Sequence, residues 1–255
     1  MATIRAVSFD VGWTLAYPEA SMWEIFADLC TQAGVPTAPE QCEQLVRMLW
    51  SAGAEQAEQR FRAGASYADS DAEFFGMFAQ MGRLIFAQMG VADGHDELTL
   101  GFLRRFWNED NWAVFPEVLD GLRALRARGL HIGVLSNAPS NLPSFLERLG
   151  LVPHLDFTVV SAIEGVKKPD RRIFEVTLSR AGVAPEEMLH VGDMYLEDIV
   201  GGRAAGMNTL LMERGTRALF PNYRESQGCD IAASAVASDL RQVLRRLDGG
   251  ALCDV

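Results

Sequence analysis

The stretch Ile4 to Leu15, IRAVSFDVGWTL, constrains this chain more than any other. It is an apolar run that ends in an aspartate and then turns through Val11, Gly12, Trp13 and Thr14. Such a run predicts a buried parallel strand that delivers one carboxylate to the sheet edge where α/β proteins bind ligands. Asp10 is therefore the first candidate for chemistry. Between residues 16 and 112 no second strand-like run occurs, and the apolar residues recur at helical spacing instead. Four helices are predicted there, around Met22 to Leu29, Leu45 to Trp50, Phe74 to Met89 and Leu98 to Trp107.

From Val114 the rhythm changes. HIGVLS (His131 to Ser136), FTVVSA (Phe157 to Ala162), MLHVGD (Met188 to Asp193), NTLLME (Asn208 to Glu213) and a weaker run from Ile231 to Val236 read as strands. The helices between them close at Gly129, Gly150, Gly182 and Gly206, with Asp170 placed to cap one of them. Strands alternating with helices imply a parallel sheet covered on both faces. The first strand is separated from its partners by the helical block. The expected organisation is an α/β core of residues 1–15 and 113–255, with an all-α helical bundle of residues 16–112 inserted as a lid.

Composition excludes some partners. A net charge of −11 over 255 residues opposes nucleic acid as the main partner, which needs a concentrated basic surface. A small anionic substrate needs only a local positive site. Cys30, Cys42, Cys229 and Cys253 have no metal-binding spacing and read as free thiols in a reducing compartment. No stretch has the length and apolarity of a membrane span or of a secretory leader, so a cytoplasmic location without a membrane partner is expected. The oligomeric state is not legible from one sequence.

Four clusters fall at the C-terminal ends of predicted strands: Asp10 with Thr14, Ser136 with Asn137, Lys168 in EGVKKPD, and Asp193 with Asp198 in GDMYLED. Parallel strands bring these ends to one edge. Several carboxylates around one point repel unless a cation joins them, and oxygen ligands without histidine favour Mg²⁺. A lysine and a hydroxyl beside that cation suit a phosphate, with Asp10 as nucleophile. Lys167 and Lys168 are the only lysines in the chain.

In these motifs the sequence resembles the haloacid dehalogenase (HAD) superfamily. The resemblance rests on DxxxTL at Asp10 to Leu15, Ser136 at a strand end, SAIEGVKKPDRRIF at Ser161 to Phe174, and GDxxxxDxxGGxxAGM at Gly192 to Met207. It implies a Rossmann-like core with a helical cap, and an aspartyl-phosphate mechanism acting on a small phosphate ester. Asp10 would attack phosphorus, Thr14 and Ser136 would bind phosphoryl oxygens, and Lys168, which directly precedes Pro-Asp, would neutralise charge. The resemblance places Mg²⁺ on Asp10, the Gly12 carbonyl, Asp193 and Asp198. Gly12, Trp13 and Asn137 are expected near the substrate.

Gly12 departs from the family pattern, because its phosphatases usually carry there the aspartate that protonates the leaving group. That loss is on the order of 10²–10⁴-fold in rate. Two alternatives follow: a non-catalytic phosphate-binding module, and a metal-independent 2-haloacid dehalogenase, a branch that also lacks this aspartate. The retained Asp193 and Asp198 weigh against the dehalogenase. A phosphonate-cleaving enzyme needs a cap lysine, and residues 16–112 contain none. His190 reads as a satisfied core histidine, Tyr195 as packing, and the aromatics Phe74, Phe78, Phe102 and Phe106 as bundle core.

Overall fold

The computed structural model describes residues 3–63, 69–215 and 236–249. In chain order, β1 (Ala6–Phe9) and β2 (Ala16–Pro18) precede α1 (Met22–Gln32), α2 (Pro39–Arg62), α3 (Asp71–Gln88) and α4 (His95–Phe106). There follow β3 (Trp112–Val114), α5 (Val118–Ala127), β4 (His131–Ser136), α6 (Leu142–Arg148), β5 (Phe157–Val160), α7 (Ser161–Glu164) and α8 (Arg171–Ala181). The chain continues through β6 (Met188–Gly192), a π-helical turn over Tyr195–Val200, α9 (Gly201–Ala204), β7 (Asn208–Met212), β8 (Val236–Ala237) and α10 (Leu240–Gly249).

Six strands form one sheet in the order β5-β4-β1-β6-β7-β8, every neighbouring pair parallel. The α/β, Rossmann-like class read from the sequence is the fold observed. The central strands β1 and β6 are buried along their whole length, as a sheet covered on both faces requires. Leu135, Val159, Ile173, Phe174 and Met188 pack together in one such layer. Register then positions the chemistry. Phe9 is paired with both Val134 and Val191, so Asp10 comes level with Leu135 and Gly192. Ser136 and Asp193 lie one residue further along the flanking strands, which run about 4.8 Å away on either side.

The chain separates into two compact units, one of residues 1–17, 66–70 and 114–255 and one of residues 18–65 and 71–113. Asp69 donates its N–H to the carbonyl of Gly165, within the first unit. The second unit is a bundle of α1 to α4. Ser21 and Glu24 form a reciprocal capping box at the start of α1. Phe26 stacks on Phe102 at 4.1 Å and meets Phe86 edge-on, and Phe74, Phe78 and Phe106 pack around Trp107. These rings are bundle core, as their spacing implied.

Three local readings need correction. α2 runs 24 residues to Arg62, well past Trp50, because its second half is rich in Ala, Gln and Glu, which favour helix without an apolar stripe. β2 and β3 pair in a separate two-stranded sheet, and three residues each are too few to show alternation. FTVVSA stops being a strand at Val160: the Ser161 hydroxyl accepts from the N–H of Ala138, and α7 begins there. Of the expected strand from Ile231 to Val236 only Val236 is described, in β8; residues 231–235 lie outside the described residues, as do Cys229 and Cys253. Cys30 and Cys42 are buried free thiols. Among the described residues no helix is long and apolar enough to cross a membrane.

Candidate active site

At the C-terminal edge of the sheet the chain builds a buried relay of charge. Lys168, only 2% exposed, donates from Nζ to Asp10 Oδ1 at 2.8 Å, to Asp198 Oδ1 at 2.5 Å and to the carbonyl of Leu135 at 3.1 Å. All three ammonium protons are thereby used. Asp198 is fully buried; its Oδ1 also accepts from His190 Nε2 at 3.0 Å, and its Oδ2 accepts the N–H of Met194 at 2.8 Å. Because a carboxylate only accepts, His190 carries a proton on Nε2. Its Nδ1 meets the Ser8 hydroxyl at 2.9 Å, and its ring lies edge-on to Phe174.

One cation between two buried carboxylates cannot satisfy both. Burial acts to raise the carboxyl of Asp198, but Lys168 and His190 outweigh it and hold that group below the usual range. Burial likewise dominates at Asp10, and there Lys168 and the Ser136 hydroxyl do not overcome it together with the charge of Asp198, so Asp10 is left above its ordinary value. Lys168 itself is desolvated, yet the two carboxylates lift it above the ordinary lysine range. Asp193, just past β6, is pushed well above the carboxylate range by burial and then by Asp10 and Asp198. The half-buried Glu197 is pushed up to about 7 by burial and then by Asp198. The edge therefore carries more negative charge than its lysine balances.

The turn after β1 is shaped by its backbone. Leu15 and Ala16 both donate to the carbonyl of Val11, and Trp13 donates to Ala16 at 2.7 Å. Trp13 has φ +52°, a left-handed conformation that is strained for a residue with a side chain. This turn leaves Thr14 buried, with its hydroxyl donating to Asp193 Oδ1 at 3.5 Å.

Asp10, Thr14, Ser136, Lys168, Asp193 and Asp198 are thus brought to one edge of the sheet. Two of the expected residues have partners within the protein itself. Half-buried Asn137 donates from Nδ2 to the Lys168 carbonyl at 3.0 Å and accepts the Lys168 N–H at Oδ1 at 2.8 Å, so its amide fixes the lysine's backbone. Asp198, expected as a metal ligand, is walled in by three donors and buried at 0% exposure. Among the described residues no three His, Cys, Asp or Glu side chains form a ready metal cage. Sequence reasoning missed Ser8 and gave His190 no link to the site, because neither lies in a motif. Their only signal was the period-2 placement of two polar residues on neighbouring buried strands.

Gly192 sets how close Asp198 can come. A Cβ there would lie 2.2 Å from the Asp198 carboxyl, so no side chain fits without expelling it. Gly192→Ala is expected to destabilise the fold by about 1–3 kcal/mol through overpacking, with more lost if Asp198 leaves Lys168. Urea unfolding reads the effect, and an unchanged midpoint would show that Asp198 has room to move.

A family model described as haloacid dehalogenase-like hydrolase matches residues 4–206, a span that includes all six of these residues. The chain belongs to the HAD-like hydrolases. Haloacid dehalogenase-like hydrolase domain-containing protein 3 of Homo sapiens is 32% identical over 225 residues, 88% of this chain and 87% of that protein. The glyceraldehyde 3-phosphate phosphatase of Methanothermobacter thermautotrophicus is 27% identical over 246 residues, 94% of this chain and 100% of that protein. The solved structure of the HAD-hydrolase YfnB from Bacillus subtilis, bound to magnesium, superposes with a TM-score of 0.70, covering 97% of this chain and all 100% of its own at 20% identity. That last likeness is one of fold.

Proposed function

We propose that this HAD-like hydrolase is a Mg²⁺-assisted phosphatase of a small phosphorylated metabolite, with Asp10 as nucleophile. The observation that carries the reading is the gathering of carboxylates beside Lys168: Asp10 and Asp198 both accept from its Nζ, and Asp193 meets the Thr14 hydroxyl at the same edge. Asp10, Asp193 and the Gly12 carbonyl fit Mg²⁺, which is bound through few protein oxygens and keeps the rest of its shell for water and phosphate. Asp198 is reassigned as the anchor of Lys168. Mg²⁺ would supply charge neutralisation at the phosphoryl oxygens.

The chain's own residues divide the remaining work. Asp10 Oδ attacks phosphorus, the ester oxygen departs with the bonding pair and takes a proton from solvent water, and a water molecule then cleaves the aspartyl phosphate, giving up a proton to solvent, to regenerate Asp10 and release inorganic phosphate. Lys168, held by Asp198 and Asn137, keeps the nucleophile in place and offsets its charge. Ser136 and Thr14 offer hydroxyls to the phosphoryl oxygens. The likeness to a named phosphatase supports phosphate as the group transferred. Gly12 favours a second reading, a phosphate-binding module without turnover, because no acid replaces the missing aspartate in the turn.

The deciding experiment follows phosphate release from an aryl phosphate with Mg²⁺ and with EDTA, beside halide release from a 2-haloacid. Metal-dependent phosphate release without halide is expected. Halide release in EDTA would instead establish a dehalogenase, and binding of orthovanadate with neither product would establish the module.

A further inference from the structure

Arg214 lies beyond the segment that the family model matches, in no motif, two residues past the end of β7 at the same sheet edge as Asp10. Its side chain is 3% exposed. It donates from Nε to the carbonyl of Thr14 at 3.1 Å and from Nη2 to the same oxygen, so one edge of the guanidinium closes on one backbone acceptor. Nη1 donates to Glu117 Oε1 at 2.5 Å and to the Ser238 carbonyl at 3.3 Å. The planar group stacks 4.0 Å from the centre of the Phe115 ring. Glu117 is also tied to the start of α10, accepting the N–H of Leu240 at 3.4 Å. Burial would raise Glu117, but Arg214 holds it below its ordinary range.

A buried arginine that needs Glu117 to balance its charge and commits two of its donors to one backbone carbonyl is an expensive way to hold a loop unless that loop must be held in one conformation. The loop in question contains the strained Trp13 and ends on the Thr14 hydroxyl that meets Asp193. We propose that Arg214 is a positioning residue: through the Thr14 carbonyl it locks the Val11–Ala16 turn, and so sets where the Thr14 hydroxyl stands relative to Asp193 and the substrate phosphoryl group. Glu117 and Phe115 orient the guanidinium for that task. Lysine cannot replace it, because a single ammonium lacks the planar fork and the ring stacking. The proposal rests on the phosphatase reading for its catalytic consequence, but its structural half does not.

Two readouts separate those halves. In Arg214→Gln, hydrogen exchange of the Trp13, Leu15 and Ala16 amides should accelerate about tenfold or more, the scale of losing charge-assisted bonds to a buried carbonyl, while the amides of β1 and β6 keep their protection. Arg214→Lys should show the same local acceleration. Uniform exchange across the unit, or full restoration by lysine, would overturn the clamp whether or not the protein is a phosphatase.

For turnover of an aryl phosphate, kcat should fall roughly 10²-fold with KM little changed, the scale of a misplacement of about 1 Å. In a Thr14→Val background the same substitution should cost little further, because Arg214 acts through Thr14. Additive losses in that double-mutant cycle would overturn the proposed route. Wild type without turnover would defeat the phosphatase reading and leave the exchange result standing as the test of the clamp.

Discussion

Lys168→Met is expected to remove turnover and to destabilise the fold by about 3–5 kcal/mol, the usual consequence of withdrawing one partner from a buried ion pair. Methionine fills most of the volume, so the loss comes from charge. Asp198 would keep only His190 and the Met194 N–H, with no exposure to water, and Asp10 would keep Ser136. The pH dependence follows from the directions of the shifts. Asp198 is depressed in the folded state, so its contribution is present above the ordinary aspartate value of 3.8 and is lost as pH falls through its lower folded value. Lys168 is raised, so its contribution is complete below 10.5 and is lost as pH rises through its higher folded value. The deficit of the variant is therefore largest near neutrality and shrinks in acid. Urea midpoints across pH measure it, and a deficit that does not shrink in acid would count against the pair as its source.

Asp10→Asn supplies the contrast, because the same site predicts lost activity without lost stability. Asp10 is raised in the folded state by burial first, so its ionisation opposes folding at any pH above its unfolded value. Asparagine can still accept from Lys168 through its oxygen while carrying no charge. In EDTA the asparagine variant should match the wild type in acid and gain on it as pH rises toward neutrality. A variant less stable than wild type at neutral pH would show that Lys168 is shared more evenly between Asp10 and Asp198 than the geometry indicates.

This asymmetry separates what the sequence discloses from what it hides. Asp10, Ser136 and Asp193 were legible because each ends or follows an apolar run, and parallel strands bring such ends to one edge whatever the distance in sequence; Lys168, beyond α7, was marked instead by its place directly before Pro169 and Asp170. Nothing in those runs shows which carboxylate owns the lysine. That depends on His190 reaching across from β6, on Gly192 leaving room for the Asp198 carboxyl, and on the π-helical turn bringing Asp198 back to the strand that precedes it. The tie from Asn137 to the Lys168 backbone is hidden for a related reason: a polar residue after a strand end looks the same whether it meets substrate or a neighbouring backbone. The link from Arg214 to the turn was invisible because it runs to a carbonyl, and backbone acceptors leave no trace in side-chain motifs. In the helical unit the second half of α2 was missed because its helicity comes from propensity and not from an apolar face.

Gly12→Asp should raise the hydrolysis of alkyl phosphates on the order of 10²–10⁴-fold, with a smaller gain for aryl phosphates, whose leaving groups need little protonation. The electrostatics favour the change. A new carboxyl beside Asp10 and Asp193, both raised by burial and like charge, would itself be shifted upward, the direction a general acid requires. Comparing kcat/KM for an alkyl and an aryl phosphate in the two proteins tests this directly. A gain confined to the alkyl substrate identifies the missing acid as what limits the wild type; an equal gain on both would point to altered metal binding, and no gain would mean that the Trp13 turn denies the new carboxyl access to the leaving group.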